Sequence, residues 1–272
     1  MSLEKTKRIL QSYKITPNKV LGQNFLIEPS LYPKLCIYAD LGKSDVVLDA
    51  GAGLGWLTHF LAERCRAVVA VEKDPQVVSV LREHTKNSKN ITVIEGDVLL
   101  TALPMFNKII AAPPYYLSSS LITWLLERKL DCAILILQIE FAARLVASIG
   151  SNEYSWLTVV TNHLADIELL DPIPRSMFYP SPEVDSIIVS LKPKVNKQFE
   201  TKDPVLFERL VKWLFTQRNK KLSKAIEPFI RDLFKITKQE ANKLSLSLPY
   251  YDKRPRNMAP EDFGAVVNAL VQ

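Results

Sequence analysis

The sequence predicts an α/β protein, with a doubly wound domain over residues 1–192 and a small, basic, helical domain over residues 193–272. Three observations carry that prediction. Short, almost wholly apolar runs alternate with helical patterns from residue 45 to residue 149. The glycine-rich stretch DAGAGLG (49–55) joins the first of these runs to the first of these helices. After Pro193 the alternation stops and apolar residues recur at helical spacing. Strands that are apolar on both faces, each followed by a helix, belong to a parallel sheet covered on both sides, and such sheets bind ligands at the carboxyl ends of their strands.

In chain order, DVVLDAG (45–51) reads as a strand followed by a helix near 55–65, and AVVAVEKD (67–74) as a strand followed by a helix near 75–86. ITVIEGD (91–97) is the third strand. KIIAAPPY (108–115) and CAILILQ (132–138) are the next two, with helices near 118–129 and 139–149. Four prolines between 172 and 182 rule out regular structure there, and VDSIIVSL (184–191) closes the sheet. In the second domain Leu206, Phe207, Leu210, Val211, Leu214 and Phe215 line one helical face. A last helix near 260–271 begins with Pro260, Glu261 and Asp262, residue types that helix starts prefer.

Composition narrows the function classes. With 47% apolar and 24% charged residues the chain has an ordinary globular makeup. No apolar run approaches the ~18 residues that cross a bilayer, and MSLEKTKRILQSYK lacks the apolar core of a secretory signal, so a cytoplasmic protein without membrane contact is expected. Cys36, Cys65 and Cys132 are isolated, and His59, His84 and His163 are scattered, so reduced buried thiols and no metal site are expected. Nothing forces oligomerisation, and a monomer is expected. The net charge of +6 is uneven: residues 191–272 carry +8 and residues 1–190 carry −2, although residues 1–20 alone carry +4. Such cationic ends suit a phosphate backbone. Lys5, Lys7, Arg8, Lys14 and Lys19 in the N-terminal arm, with Arg218, Lys220, Lys221 and Lys224 in the second domain, are the candidate RNA phosphate contacts.

Gly51, Gly53 and Gly55 follow a buried strand and open a helix, which permits a tight turn and close approach of a ligand. Their spacing is G-x-G-x-G, whereas a dinucleotide fold uses G-x-G-x-x-G, so the pattern favours S-adenosylmethionine over NAD. Glu72 ends the next strand, where a carboxylate accepts from ribose hydroxyls, and Asp97 ends the third, where it accepts from an adenine amine. A NAD-dependent oxidoreductase is the alternative, but no catalytic acid or base for it stands out.

GQNFL (22–26), LDAGAGLGWLT (48–58), VEKD (71–74), EGD (95–97), PYYLSS (114–119), LQIEFAARL (137–145), YSWLTV (154–159) and FYPSPEVDSIIV (178–189) together resemble the ribosomal small-subunit RNA adenine dimethyltransferases of the KsgA type. The match runs in order over residues 15–190, and FTQRNKKLSKAI (215–226) resembles the start of that family's second domain. The resemblance implies a Rossmann-like class I methyltransferase that moves methyl groups from S-adenosylmethionine to the exocyclic amine of adenines in small-subunit ribosomal RNA. It places Gln23, Asn24 and Leu26 on the cofactor side, along with Gly51, Gly53, Glu72, Asp97 and Ala112. Tyr115 and Phe178 would hold a flipped adenine between two rings.

The chain departs from the family at the centre of the motif. Members read Asn-Leu-Pro-Tyr where this chain has Ala112-Pro113-Pro114-Tyr115. The Asn side chain would accept from the adenine amine together with the carbonyl of the next residue, and Ala112 offers only backbone. An engineered catalytic mutant, a slow natural member and a non-catalytic RNA-binding assembly factor that keeps the cofactor pocket all fit this sequence. A related enzyme acting on large-subunit RNA is a further alternative. Gln138, Asn162 and His163 are polar groups that would have to substitute.

Overall fold

The computed structural model describes residues 3–271; residues 1, 2 and 272, at the ends of the two expected domains, lie outside the described residues. The elements in order are α1 (Leu3–Ser12), β1 (Phe25–Leu26), α2 (Leu31–Tyr38), β2 (Val46–Ala50), α3 (Trp56–Ala62), β3 (Ala67–Glu72), α4 (Pro75–Thr85), β4 (Ile91–Glu95) and β5 (Lys108–Ala111). Then follow α5 (Ser118–Leu126), β6 (Cys132–Gln138), α6 (Ile139–Leu145), α7 (Trp156–Leu164), β7 (Ala165–Ile173), β8 (Phe178–Tyr179) and β9 (Ser186–Pro193). The chain ends in α8 (Pro204–Phe215), α9 (Leu222–Phe234), α10 (Lys238–Ser247) and α11 (Pro260–Leu270).

Seven strands form one sheet in the order β4-β3-β2-β5-β6-β9-β7. The strands from β4 to β6 run parallel, and β9 is antiparallel to β6. The core strands are apolar on both faces because both are covered: Val47, Leu48, Ile109, Ile110, Ile134 and Ile136 are all fully buried. The chain leaves β2 in one direction along the sheet for β3 and β4 and in the other for β5 and β6. That reversal opens a crevice at the carboxyl ends of β2 and its neighbours.

One expectation about regular structure is corrected. The proline-rich stretch is not wholly irregular, because β7 runs to Ile173 and contains Pro172. β7 lies at the sheet edge, where a missing N–H deprives no neighbouring strand of a donor. Most of the basic N-terminal arm is the helix α1. α1 buries Thr6 and Leu10, and Leu10 packs with Ile15, Phe25, Leu54, Val77 and Val80.

The chain divides into two compact units, one of residues 1–142 and 166–193, the other of residues 143–165 and 194–272. Residues 143–165, expected with the first domain, therefore cluster with the second. Their attachments explain it. α7 packs on α8 and α11, the Tyr154 hydroxyl donates to the Met258 carbonyl at 2.7 Å, and Arg256 donates to the Gly150 carbonyl at 2.7 Å. In α8 the expected face is found, with Leu206, Phe207, Leu210, Val211 and Leu214 buried.

Candidate active site

The turn after β2 sets the floor of a cleft built wholly from the first unit. Gly51 has φ 78°, and a Cβ there would lie 2.8 Å from Pro114 Cδ, so the turn and the Pro113-Pro114 segment touch only because position 51 is glycine. Gly55 has φ 84° and caps the start of α3; a Cβ there would lie 2.6 Å from Leu81 Cδ1. The amides of Gly51 and Ala52 both donate to the Val71 carbonyl, which ties the turn to β3.

Glu72 stands at the end of β3. Its Oε2 accepts from the Gly53 amide at 2.9 Å, and its Oε1 accepts from the amides of Lys73 at 2.8 Å and Asp74 at 3.0 Å. Burial raises its pKa, and these three amides offset part of the rise. A carboxylate has about four acceptor sites, so Oε2 retains capacity for a ligand hydroxyl. Asp97 follows β4, accepting from the Leu99 amide at 3.0 Å and the Lys73 ammonium at 3.1 Å. Burial pushes its pKa up, but those two donors outweigh it and hold the carboxyl below its ordinary value.

The opposite part of the lining comes from β5 and the segment after it. Ala112, Pro113, Pro114 and Tyr115 all line the cleft. The Tyr115 hydroxyl pairs with Ser186 Oγ at 2.7 Å, which fixes the ring against the start of β9. Phe178 also lines the cleft, yet it is only 4% exposed and belongs to the apolar core. Its backbone pairs with Leu26 through β1 and β8.

Gln23 and Asn24 line the same cleft. The Gln23 amide is engaged at both ends, donating to Asp74 Oδ2 at 2.7 Å and accepting from the Asn18 amide at 2.7 Å. It thereby pins the 18–24 segment to the residue that caps α4. Asn24 donates to the Gly22 carbonyl at 3.2 Å. Leu26 lies behind the glycine turn, in an adjoining pocket and in the core, while its neighbour Phe25 faces the main cleft. Phe25 and Lys73 were missed by sequence reasoning; the position next to Glu72 was the available signal for Lys73, and the two-residue β1 offered none for Phe25. Asp49 was also missed. It is fully buried, accepts the Thr58 hydroxyl at 2.6 Å and lines the adjoining pocket with Ala112. Burial is the main cause that raises its carboxyl pKa to about 7.

The polar groups considered as substitutes at position 112 do not line the cleft. Asn162 and His163 belong to the second unit, where His163 is buried against Phe199 with ring centroids 4.0 Å apart. Burial, with nearby lysines, lowers the His163 pKa to about 4. Gln138 is half-buried at the end of β6.

Among the basic candidates, Lys5, Lys7, Arg8, Lys14 and Lys19 are exposed on the first unit. Lys220, Lys221 and Lys224 are exposed on the second. Arg218 is half-buried on the second unit, where one guanidinium nitrogen donates to the carbonyls of Asn152 at 2.9 Å and Tyr154 at 2.8 Å and so braces that unit. Among the described residues no cluster of three or more His, Cys, Asp or Glu could hold a metal ion, and no helix is long and apolar enough to cross a membrane.

A family model described as "Ribosomal RNA adenine dimethylase" matches residues 15–246. The chain is 38% identical to a "Probable ribosomal RNA small subunit methyltransferase A" of Methanosarcina acetivorans over 97% of both chains. It is 39% identical to a protein of the same description from Thermococcus kodakarensis, over 93% of this chain and 90% of that one. Among solved structures it is similar to a dimethyladenosine transferase from Plasmodium falciparum, with a TM-score of 0.75 and 28% identity over 89% of this chain and 95% of that one. It is also similar to the 23S rRNA methyltransferase ErmE, with a TM-score of 0.66 and 28% identity over 92% of this chain and 100% of that one.

Proposed function

The chain belongs to the ribosomal RNA adenine dimethylase family, and from that premise we propose that it methylates the exocyclic amine of adenines in a loop of small-subunit ribosomal RNA, with S-adenosylmethionine as donor. The observation that carries the reading is one cleft that joins two strand-end carboxylates, Glu72 and Asp97, to the Pro113-Pro114-Tyr115 turn. Relatives named for the small subunit match at 36–39% identity over most of the chain, which supports the small-subunit substrate.

The residues fit that donor. Gly51 and Gly53 keep side chains out of the floor, Glu72 retains acceptor capacity on Oε2 for ribose hydroxyls, and Asp97 stands ready for an adenine amine. Gln23 fixes the covering segment, and Asn24 takes the contact to the donor assigned above to the 23–26 stretch. When bound, S-adenosylmethionine supplies a methyl group made electrophilic by its sulfonium.

On the acceptor side, an adenine must leave its stack, which costs least in an unpaired loop. Tyr115, braced by Ser186, presents one face for it, and Phe178 forms a wall of the pocket. The amine lone pair is delocalised into the ring, so the nitrogen becomes a nucleophile only as it pyramidalises with its hydrogens held. The Pro113 carbonyl is one acceptor. Ala112 leaves the second place without an accepting side chain, and by analogy with loss of one oxyanion-hole donor this slows transfer by ~10²- to 10³-fold. The exposed lysines of both units hold the RNA backbone.

The test is transfer of labelled methyl from S-adenosylmethionine to undermethylated small ribosomal subunits by this chain and by Ala112→Asn. Faster transfer by the variant is expected. Transfer by neither would overturn the catalytic reading and leave the second one, favoured by Ala112 alone: an RNA-binding assembly factor that retains the pocket.

A further inference from the structure

We propose that a second unpaired nucleotide of the same RNA binds in an aromatic cleft outside the methyl-transfer pocket, its base stacked on Trp56 and its phosphate held by Lys5. The proposal rests on the RNA-methylating reading above and adds a subsite to it.

The glycine turn separates the two places. Its first glycines, Gly51 and Gly53, line the methyl-transfer cleft, whereas Gly55 and Trp56 at its other end line a second, open cleft of ≈ 550 Å³; Trp56 has its other side on the adjoining pocket behind the turn. Tyr32, Phe60 and His84 supply further rings, and Lys5 reaches in from α1. The Trp56 and His84 ring centroids are 4.5 Å apart, and those of Tyr32 and Phe60 are 5.4 Å apart. His84 Nδ1 lies 2.7 Å from the Leu54 carbonyl, so that nitrogen donates and Nε2 remains for another partner.

Core packing alone does not account for Trp56. Its indole Nε1 is buried without a hydrogen-bond partner, a cost that phenylalanine at this position would avoid. The Lys5 ammonium lies 4.8 Å from the centre of the indole ring, so the ring already attracts a cation from the RNA-facing arm. A cleft of aromatic faces beside a cation is the chemistry that takes unpaired nucleotides, because every base has a π-face and every linkage a phosphate. Lys7 and Arg8, exposed on the same helix, extend the positive surface. On binding, Lys5 exchanges the ring for the phosphate and the base takes its place.

The test uses the full chain and its Trp56→Ala, Trp56→Phe and Lys5→Ala variants, each checked for cooperative thermal unfolding. A short single-stranded oligoribonucleotide is titrated at several salt concentrations. Trp56→Ala is expected to weaken binding ~5- to 150-fold with little change in salt dependence, while Trp56→Phe retains most of the affinity. Lys5→Ala is expected to flatten the logarithmic salt slope by ~0.7, the value for one phosphate of a single strand. Indole fluorescence should be quenched by RNA in the unaltered chain and less so in Trp56→Phe. Should Trp56→Ala fail to fold, the Trp56→Phe quenching and the Lys5→Ala slope decide. RNA binding by the unaltered chain with unchanged affinity, slope and quenching in the variants would overturn the subsite and leave the methyltransferase reading standing. No RNA binding by the unaltered chain would overturn both. Quenching of Trp56 by adenosine monophosphate but not by RNA would reassign the cleft to a free nucleotide and overturn the proposal.

Discussion

Both ends of the central sheet bury acidic side chains, and they treat them in opposite ways. At the amino ends, Asp45 accepts from the Lys108 ammonium at 2.9 Å, from Asn107 Nδ2 at 2.7 Å and from the Gly42 amide at 2.7 Å. Lys108 donates further to the Asp40 carbonyl, and Asn107 Oδ1 accepts from the Val46 amide. Burial raises the Asp45 pKa, yet these donors together hold it below its ordinary value. Near the carboxyl ends, Asp49 is buried and Glu72 half-buried, and burial wins: both carboxyls are pushed up. A structural network closes on itself. A ligand site keeps acceptor capacity in reserve and carries the cost in the free protein.

The largest effect should come from breaking the closed end. Lys108→Met would leave the Asp45 carboxylate buried without its ammonium, and removing one partner of a buried pair costs ~3–5 kcal/mol. Denaturant unfolding should show that loss, while the folded fraction binds S-adenosylmethionine as before. Unchanged stability would mean that the two ends are not different in kind.

The open end should reveal itself through pH. The Asp49 pKa rises from 3.8 to about 7 on folding. Between those values the folded chain holds a proton that the unfolded chain has lost, so stability falls as pH rises through this window and is level above it. The loss from this group is at most ~4 kcal/mol. Glu72, also raised, acts in the same direction. Asp45 and Asp97, both lowered, act with the opposite sign but below the ordinary carboxylate range, whereas His163, lowered from 6.5 to about 4, acts with the opposite sign inside the window, because there the unfolded chain holds a proton that the folded imidazole has lost. Asp49 is therefore isolated by difference: the stability of the ligand-free protein minus that of Asp49→Asn, measured from pH 4 to pH 8, should decline as pH rises. An unchanged slope in the variant would show that Asp49 is not the group that titrates.

The same contrast explains what could be read before the structure. β2, β3, β5 and β6 were legible because strands buried on both faces are apolar runs, and Glu72 and Asp97 were legible because a carboxylate at the end of an apolar run is conspicuous. Asp49 lies inside a run, where one acid among apolar residues looks like an interruption. Arg218 sits in a charge-rich stretch, and nothing local tells a bracing guanidinium from a solvated one. Leu26 and Phe25 are adjacent in a two-residue strand, too short for alternation to show which one faces the ligand. The attachment of residues 143–165 to the second unit depends on contacts such as Tyr154 with Met258, which chain order conceals.

The smallest effect should separate two ion pairs of nearly equal length. Lys73 and Asp97 lie 3.1 Å apart at the carboxyl ends, and Lys108 and Asp45 lie 2.9 Å apart at the amino ends. Distance alone would rate them alike. The Lys73 side chain is 49% exposed, against 10% for Lys108, so water solvates its ammonium whether or not the pair forms. Lys73→Ala is therefore expected to leave the melting temperature unmoved within repeat error, and to do so at every salt concentration. Asp97 keeps the Leu99 amide and gains freedom to meet a ligand amine, so S-adenosylmethionine affinity should hold or rise slightly in a calorimetric titration. A melting-temperature loss comparable with that of Lys108→Met would show that the carboxyl end is as closed as the amino end, and the division of the sheet into a structural end and a binding end would fail.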